Sequence, residues 1–140
     1  MKLLKQRSDK DCLLTAFAMV TGLAYDKIEA KLKKKEFYHP QEIIEHLYFE
    51  HDIFTVSIMD NYMYEGEPVS DFTEERYEQI LANTNCVIGL KRGHAVAWSK
   101  DEQKVYDPTK GVRPKININE IQIIFIIRGG DVNNGIRRTT

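Results

Sequence analysis

Asp11-Cys12-Leu13-Leu14-Thr15-Ala16-Phe17-Ala18-Met19-Val20-Thr21-Gly22 is the stretch on which the reading of the fold turns. Asp11 stands where a helix N-cap belongs, and Gly22 is suited to end a helix covering Cys12 to Thr21. That helix is apolar nearly all round, so it is expected to run through the core. The apolar run from Leu13 to Val20, broken by Thr15, is too short to span a bilayer. Working outward, Tyr25 to Lys35 reads as a second helix, with Ile28 and Leu32 inward and Lys31, Lys33, Lys34 and Lys35 facing water. Pro40 opens a third helix that turns Ile43, Ile44 and Leu47 inward. Ile53 to Ile58 alternates like a strand, Asp60 to Asp71 reads as a long loop, and Thr73 to Ala82 as a further helix. Three short strands follow: Cys86 to Lys91, His94 to Ser99 and Lys104 to Asp107, with turns at Arg92-Gly93 and Lys100 to Gln103. The last strand, Ile121 to Arg128, is so apolar that it is expected to be central or well covered. Helices grouped first and an antiparallel sheet later predict an α+β fold.

The chain has 140 residues, enough for one domain with a continuous core. We read that domain as residues 1–130, followed by a flexible polar tail over 131–140. Twenty Lys and Arg against 21 Asp and Glu give a net charge of −1, so no overall field favours nucleic acid or a membrane as partner. The first ten residues are charged and lack the apolar segment of a secretory signal, which makes a cytoplasmic, reducing setting the expectation. Two cysteines, Cys12 and Cys86, are too few for a disulfide framework or a four-cysteine zinc site. No metal or other cofactor is expected. His46 and His51, five residues apart, do not share a helix face, and with His39 they read as surface residues.

Cys12 lies at the start of the apolar helix, where free backbone N–H groups and the helix dipole favour a thiolate. His94 begins a strand just after Gly93. Asp107 ends the adjacent strand of the same hairpin, which places it beside His94. A carboxylate there accepts the imidazole N–H and stabilises the charged ring. Gln6, six positions before Cys12, offers a side-chain amide to a developing oxyanion, together with the Cys12 backbone N–H. Each residue alone has a plainer reading: a buried thiol, turn chemistry, a strand end, a solvated amide.

Gln6, Asp11-Cys12, Gly93-His94-Ala95-Val96 and Asp107-Pro108 together resemble, in order, the motifs of the papain-like cysteine peptidase superfamily. The nearest likeness is to the bacterial peptidases that remove double-glycine leader peptides. The resemblance runs from about Lys5 to Gly111 and rests on three short motifs. Leu13 departs from the pattern, since glycine often follows the nucleophile in those peptidases. The resemblance implies a papain-like fold, with N-terminal helices packed on a C-terminal antiparallel sheet. It implies a catalytic triad of Cys12, His94 and Asp107, with Gln6 as oxyanion donor. The activity implied is that of a bacterial or phage cysteine peptidase or isopeptidase acting on a protein or peptide.

Two other readings stay open. Transglutaminase-like proteins use Cys, His and Asp in the same order, and Tyr106-Asp107-Pro108-Thr109 resembles their segment, so glutamine deamidation or acyl transfer is the alternative. A binding module that keeps the fold without turnover is the third. Elsewhere, Cys86 reads as a buried small hydrophobe, Trp98 as a core or cleft-wall residue, and Lys31 to Lys35 as a solvated face. Asn61 to Glu67 reads either as a cleft border or as an ordinary loop, and Arg128-Gly129-Gly130 as a strand end rather than a processing site. The sequence is silent on oligomeric state.

Overall fold

A computed structural model describes residues 1–32, 39–59, 62–69 and 73–129. The predicted tail, Gly130 and the lysines at 33–35 lie outside the described residues. Three helices come first: α1 (Cys12–Thr21), α2 (Tyr25–Glu29) and α3 (Pro40–His51). Strand β1 (Ile53–Met59) follows, then a small hairpin of β2 (Tyr62–Tyr64) and β3 (Glu67–Val69), then α4 (Glu74–Asn83). The second half is β4 (Cys86–Leu90), β5 (Ala95–Ser99), β6 (Lys104–Asp107), β7 (Gly111–Arg113), a 3-10 turn (Ile118–Glu120) and β8 (Ile121–Gly129). Six of the strands form one sheet in the order β1-β8-β4-β5-β6-β7, and its pairings are all antiparallel. The protein is thus α+β, built on an antiparallel sheet. No helix among the described residues is long and apolar enough to cross a membrane.

The sheet is covered on both faces, which accounts for its unbroken apolar strands. On one face α1 packs against β5, β4 and β6, and Leu14, Phe17, Ile28, Ile43 and Leu47 join Val87, Ala97, Phe125 and Ile127 in one cluster. Phe17 meets Phe125 with ring centroids 5.4 Å apart. On the other face Tyr77 and Leu81 of α4 cover Cys86, Ile88, Val96, Trp98, Val105 and Ile124. Residues of β4 therefore alternate between two cores rather than between core and water. β8 lies between β1 and β4, paired on both sides, as its composition predicts. Cys86 and Trp98 are core residues, and the Trp98 indole N–H donates to the Leu81 carbonyl at 2.6 Å.

Several local expectations are corrected. The second helix stops at Glu29, because Lys31 and Leu32 donate to carbonyls only three residues back and the chain tightens out of the α form. Ile28 and Leu32 are still buried. The long loop contains the β2–β3 hairpin, turned by Glu65 and Gly66 at φ 50° and 80°, the pairing of positive angles that two-residue hairpins favour. Its outer residues 60, 61, 70 and 71 lie outside the described residues. Thr73 caps α4 instead of belonging to it, its hydroxyl accepting from the Arg76 N–H at 3.2 Å. β7 was not expected, being only Gly111-Val112-Arg113.

Candidate catalytic site

Asp11 occupies the N-cap position of α1, but its side chain makes no cap bond. The expectation of a side-chain cap is therefore corrected. The carboxylate, 1% exposed, folds back instead: it accepts the N–H groups of Arg7 at 2.9 Å and Ser8 at 3.1 Å, and the Tyr25 hydroxyl at 2.8 Å. Two consequences follow. The Gln6–Ser8 turn is held against the start of α1. The first amides of α1, which have no intrahelical partner, are not consumed by a cap and remain available to an anion.

Cys12, the first residue of α1, is half-buried. Burial pushes its thiol up. A hydrogen bond with His94 and the backbone N–H groups of Ala95 and Leu13 outweigh that push, so the thiol sits below its ordinary value. His94 lies one residue before β5. The same bond to Cys12 raises the imidazole above its ordinary value against the opposing effect of burial, and Asp107 adds to the rise. Both shifts favour the thiolate–imidazolium pair.

Asp107 ends β6 and is fully buried. Pairing of β5 with β6, with Ala97 opposite Tyr106, runs the start of one strand to the end of the other. Asp107 Oδ1 lies 2.8 Å from His94 Nε2. The same oxygen accepts from the Thr109 N–H at 2.9 Å, the Thr109 hydroxyl at 2.8 Å and the Lys110 N–H at 3.2 Å. The Arg113 guanidinium donates from Nη2 to Oδ2 at 3.0 Å. Burial alone would raise this carboxyl; the bonds from His94 and Thr109 prevail and hold it well below the usual carboxylate range. With Nε2 committed to Asp107, the ring nitrogen left for Cys12 is Nδ1.

The structure thus joins Cys12, His94 and Asp107 in one connected line. Gln6 is placed in the same corner by its backbone, whose N–H donates to the Pro108 carbonyl at 3.1 Å. Its side chain is differently used: Nε2 donates to the Ser8 carbonyl at 2.7 Å, and the buried Oε1 has no hydrogen-bond partner. One amide hydrogen of Gln6 remains uncommitted.

The sequence reading missed Arg113, Thr109 and the Asp11–Tyr25 bond. Thr109 was within reach of it, because Asp followed two residues later by a hydroxyl residue is a common side-chain-to-backbone turn. Arg113 reaches Asp107 across the unexpected β6–β7 hairpin, and Tyr25 arrives through the packing of α2 on α1.

The other histidines stand apart. His46 and His51 do meet, Nε2 to Nε2 at 3.2 Å, contrary to the spacing argument. Helical side chains lean toward the N-terminus, so His51, the last residue of α3, reaches back over its preceding turn. Among the described residues no group of three or more His, Cys, Asp or Glu is placed to hold a metal. No protein-family model matches this chain, and no curated protein matches it either.

Proposed function

We propose that the protein is a cysteine-nucleophile hydrolase of papain-like architecture, acting as a peptidase or isopeptidase. One observation carries the reading: a thiol at a helix start, an imidazole and a fully buried carboxylate form a single line of contacts, Cys12 to His94 to Asp107. In this reading His94 Nδ1 takes the Cys12 proton, and the thiolate attacks the substrate carbonyl. The oxyanion is received by the uncapped Cys12 backbone N–H and the uncommitted amide hydrogen of Gln6. The proton on His94 then passes to the leaving amine. Water, deprotonated by the same ring, releases the acyl group and regenerates the thiol. Asp107 holds the ring orientation and stabilises its charge throughout.

The test is the pH dependence of Cys12 alkylation by iodoacetamide. A paired thiolate reacts fast, with a rate that holds down to mildly acid pH. A rate that falls tenfold per unit below about pH 8.5, as for an ordinary thiol, overturns the reading. Cys12→Ala abolishes turnover, and a new amine terminus in the product identifies peptide hydrolysis.

A further inference from the structure

Taking the thiol site as the reaction centre, we propose that it serves an acidic peptide, selected by a rim of cations on the turns that carry the site residues. Each of these turns holds an exposed cation. Lys10 lies two residues before Cys12, Arg92 two residues before His94, and Lys110 three residues after Asp107. Lys5 joins them, because the neighbouring Gln6 N–H is bonded to Pro108 on the Asp107 turn. Two residues of chain span at most about 7 Å, so the Lys10 and Arg92 backbones stand that close to Cys12 and His94, while Lys5 and Lys110 lie further out on the Asp107 side.

The other charges nearby are spoken for. Arg7 is paired with Asp26 at 2.6 Å. Asp11 and Asp107 are buried and bonded within the fold. Lys91 lines a separate cavity with Glu74 and Tyr77. Two exposed acids offset the rim in part: Asp9 on the turn before Cys12, and Glu120, whose carbonyl accepts from the Lys91 N–H beside Arg92. Lys5, Lys10, Arg92 and Lys110 make no ion pair among the described residues. The whole chain carries −1, so the rim does not follow from the overall charge. Local charge of one sign around a cleft raises the encounter rate of ligands of the other sign and is screened by salt. A peptide with carboxylates near its reactive bond meets both the rim and the imidazolium. A basic peptide is repelled by both.

The experiment uses two reagents that alkylate the same sulfur. Iodoacetate is an anion and iodoacetamide is neutral; in each case the Cys12 thiolate forms a C–S bond as iodide leaves. The rates are compared in the wild type and in K5Q/K10Q/R92Q at about 0.01 M salt, where the screening length is about 30 Å. Taking each of the three charges to act through water over about 10 Å, with the screening of that salt, their removal changes the iodoacetate-to-iodoacetamide ratio about five-fold. The ratio should fall by that factor in the variant, and the difference should close at about 1 M salt. An unchanged ratio overturns the rim.

A second pair of probes, tetrapeptide vinyl sulfones bearing two Glu or two Gln, tests the peptide. The Glu probe should inactivate the wild type several-fold faster, and the variant should lose that preference. Equal rates in the wild type overturn the acidic substrate. Slow iodoacetamide alkylation of the wild type at pH 6 would instead overturn the thiolate pair itself, a different failure.

Discussion

Asp107→Asn is expected to lower stability chiefly through Arg113 and to weaken the thiol pair through His94. The Asp107 side chain is fully buried, with four donors on Oδ1 and the Arg113 guanidinium on Oδ2. An asparagine must keep its oxygen where four donors converge, so its NH2 is forced against Arg113 Nη2, donor against donor. One charge-assisted hydrogen bond is lost, worth about 1.5–3 kcal/mol, and the four others weaken as their acceptor becomes neutral. Arg113 is 37% exposed, so water recovers part of its loss. The net cost is about 2–3 kcal/mol. With a urea slope of about 2 kcal/mol/M, the unfolding midpoint falls by about 1–1.5 M. Trp98, the single tryptophan and a core residue, reports the transition by fluorescence.

The double variant D107N/R113Q gives the glutamine carbonyl to the asparagine NH2 and should recover about 1 kcal/mol relative to the sum of the singles. The sign with pH is fixed as well. The folded carboxyl titrates below its unfolded value, so its stabilisation is present above about pH 4 and is lost as pH falls from there toward the folded value. The gap between wild type and D107N should therefore narrow below pH 4. The imidazolium also loses its carboxylate, so His94 is raised less and the thiolate–imidazolium pair is less favoured. Additive single effects, or an Asp107→Asn variant as stable as the wild type, would refute the bridging geometry.

Asp11→Ala removes a buried acceptor for two N–H groups and the Tyr25 hydroxyl, and should cost about 2–3 kcal/mol in urea unfolding; Tyr25→Phe should cost about 1 kcal/mol. Of the two thiols, one should react with Ellman's reagent in the folded protein, because Cys86 is fully buried and burial raises its thiol far above the ordinary value; two fast thiols would contradict that core. Burial, then the neighbouring His51, depresses His46. A base depressed in the fold destabilises it as pH falls below the unfolded value near 6.5, so His46→Gln should flatten the loss of melting temperature between about pH 6.5 and 5.

What could be read from the chain follows from how far apart the cooperating residues stand in sequence. The α1 core helix was legible because a nearly all-apolar run has one stable place, inside the protein. His94 and Asp107 were legible as a pair because a hairpin with a four-residue polar turn leaves little freedom in which ends meet. Cys12 had no such tie to either. Only its position at a helix start, and the ordered likeness of Gln6, Cys12, His94 and Asp107 to a peptidase pattern, linked it to the hairpin. The structure supplies the physical tie, since α1 packs on β5 and β6 and so brings its first residue to the head of the hairpin.

Asp11 escaped because its side chain took partners other than the helix amides that the cap rule assigns it. Asp11 fits a local cap rule, yet its carboxylate finds Arg7, Ser8 and a tyrosine fourteen residues away. That choice has a chemical result which the cap would have removed. A side-chain cap on α1 would occupy the amides beside Cys12; an Asp11 turned away leaves them free for a thiolate or an oxyanion while it fixes the turn that carries Gln6. Asp11→Asn separates the two roles. The amide can still accept from one N–H but not from all three donors, so the Gln6 turn loosens while the amides of α1 stay uncapped. Turnover should then fall more steeply than the rate of Cys12 alkylation, because alkylation needs the thiolate and not Gln6. Equal losses in both would mean that Asp11 acts on the nucleophile and not on the oxyanion donor.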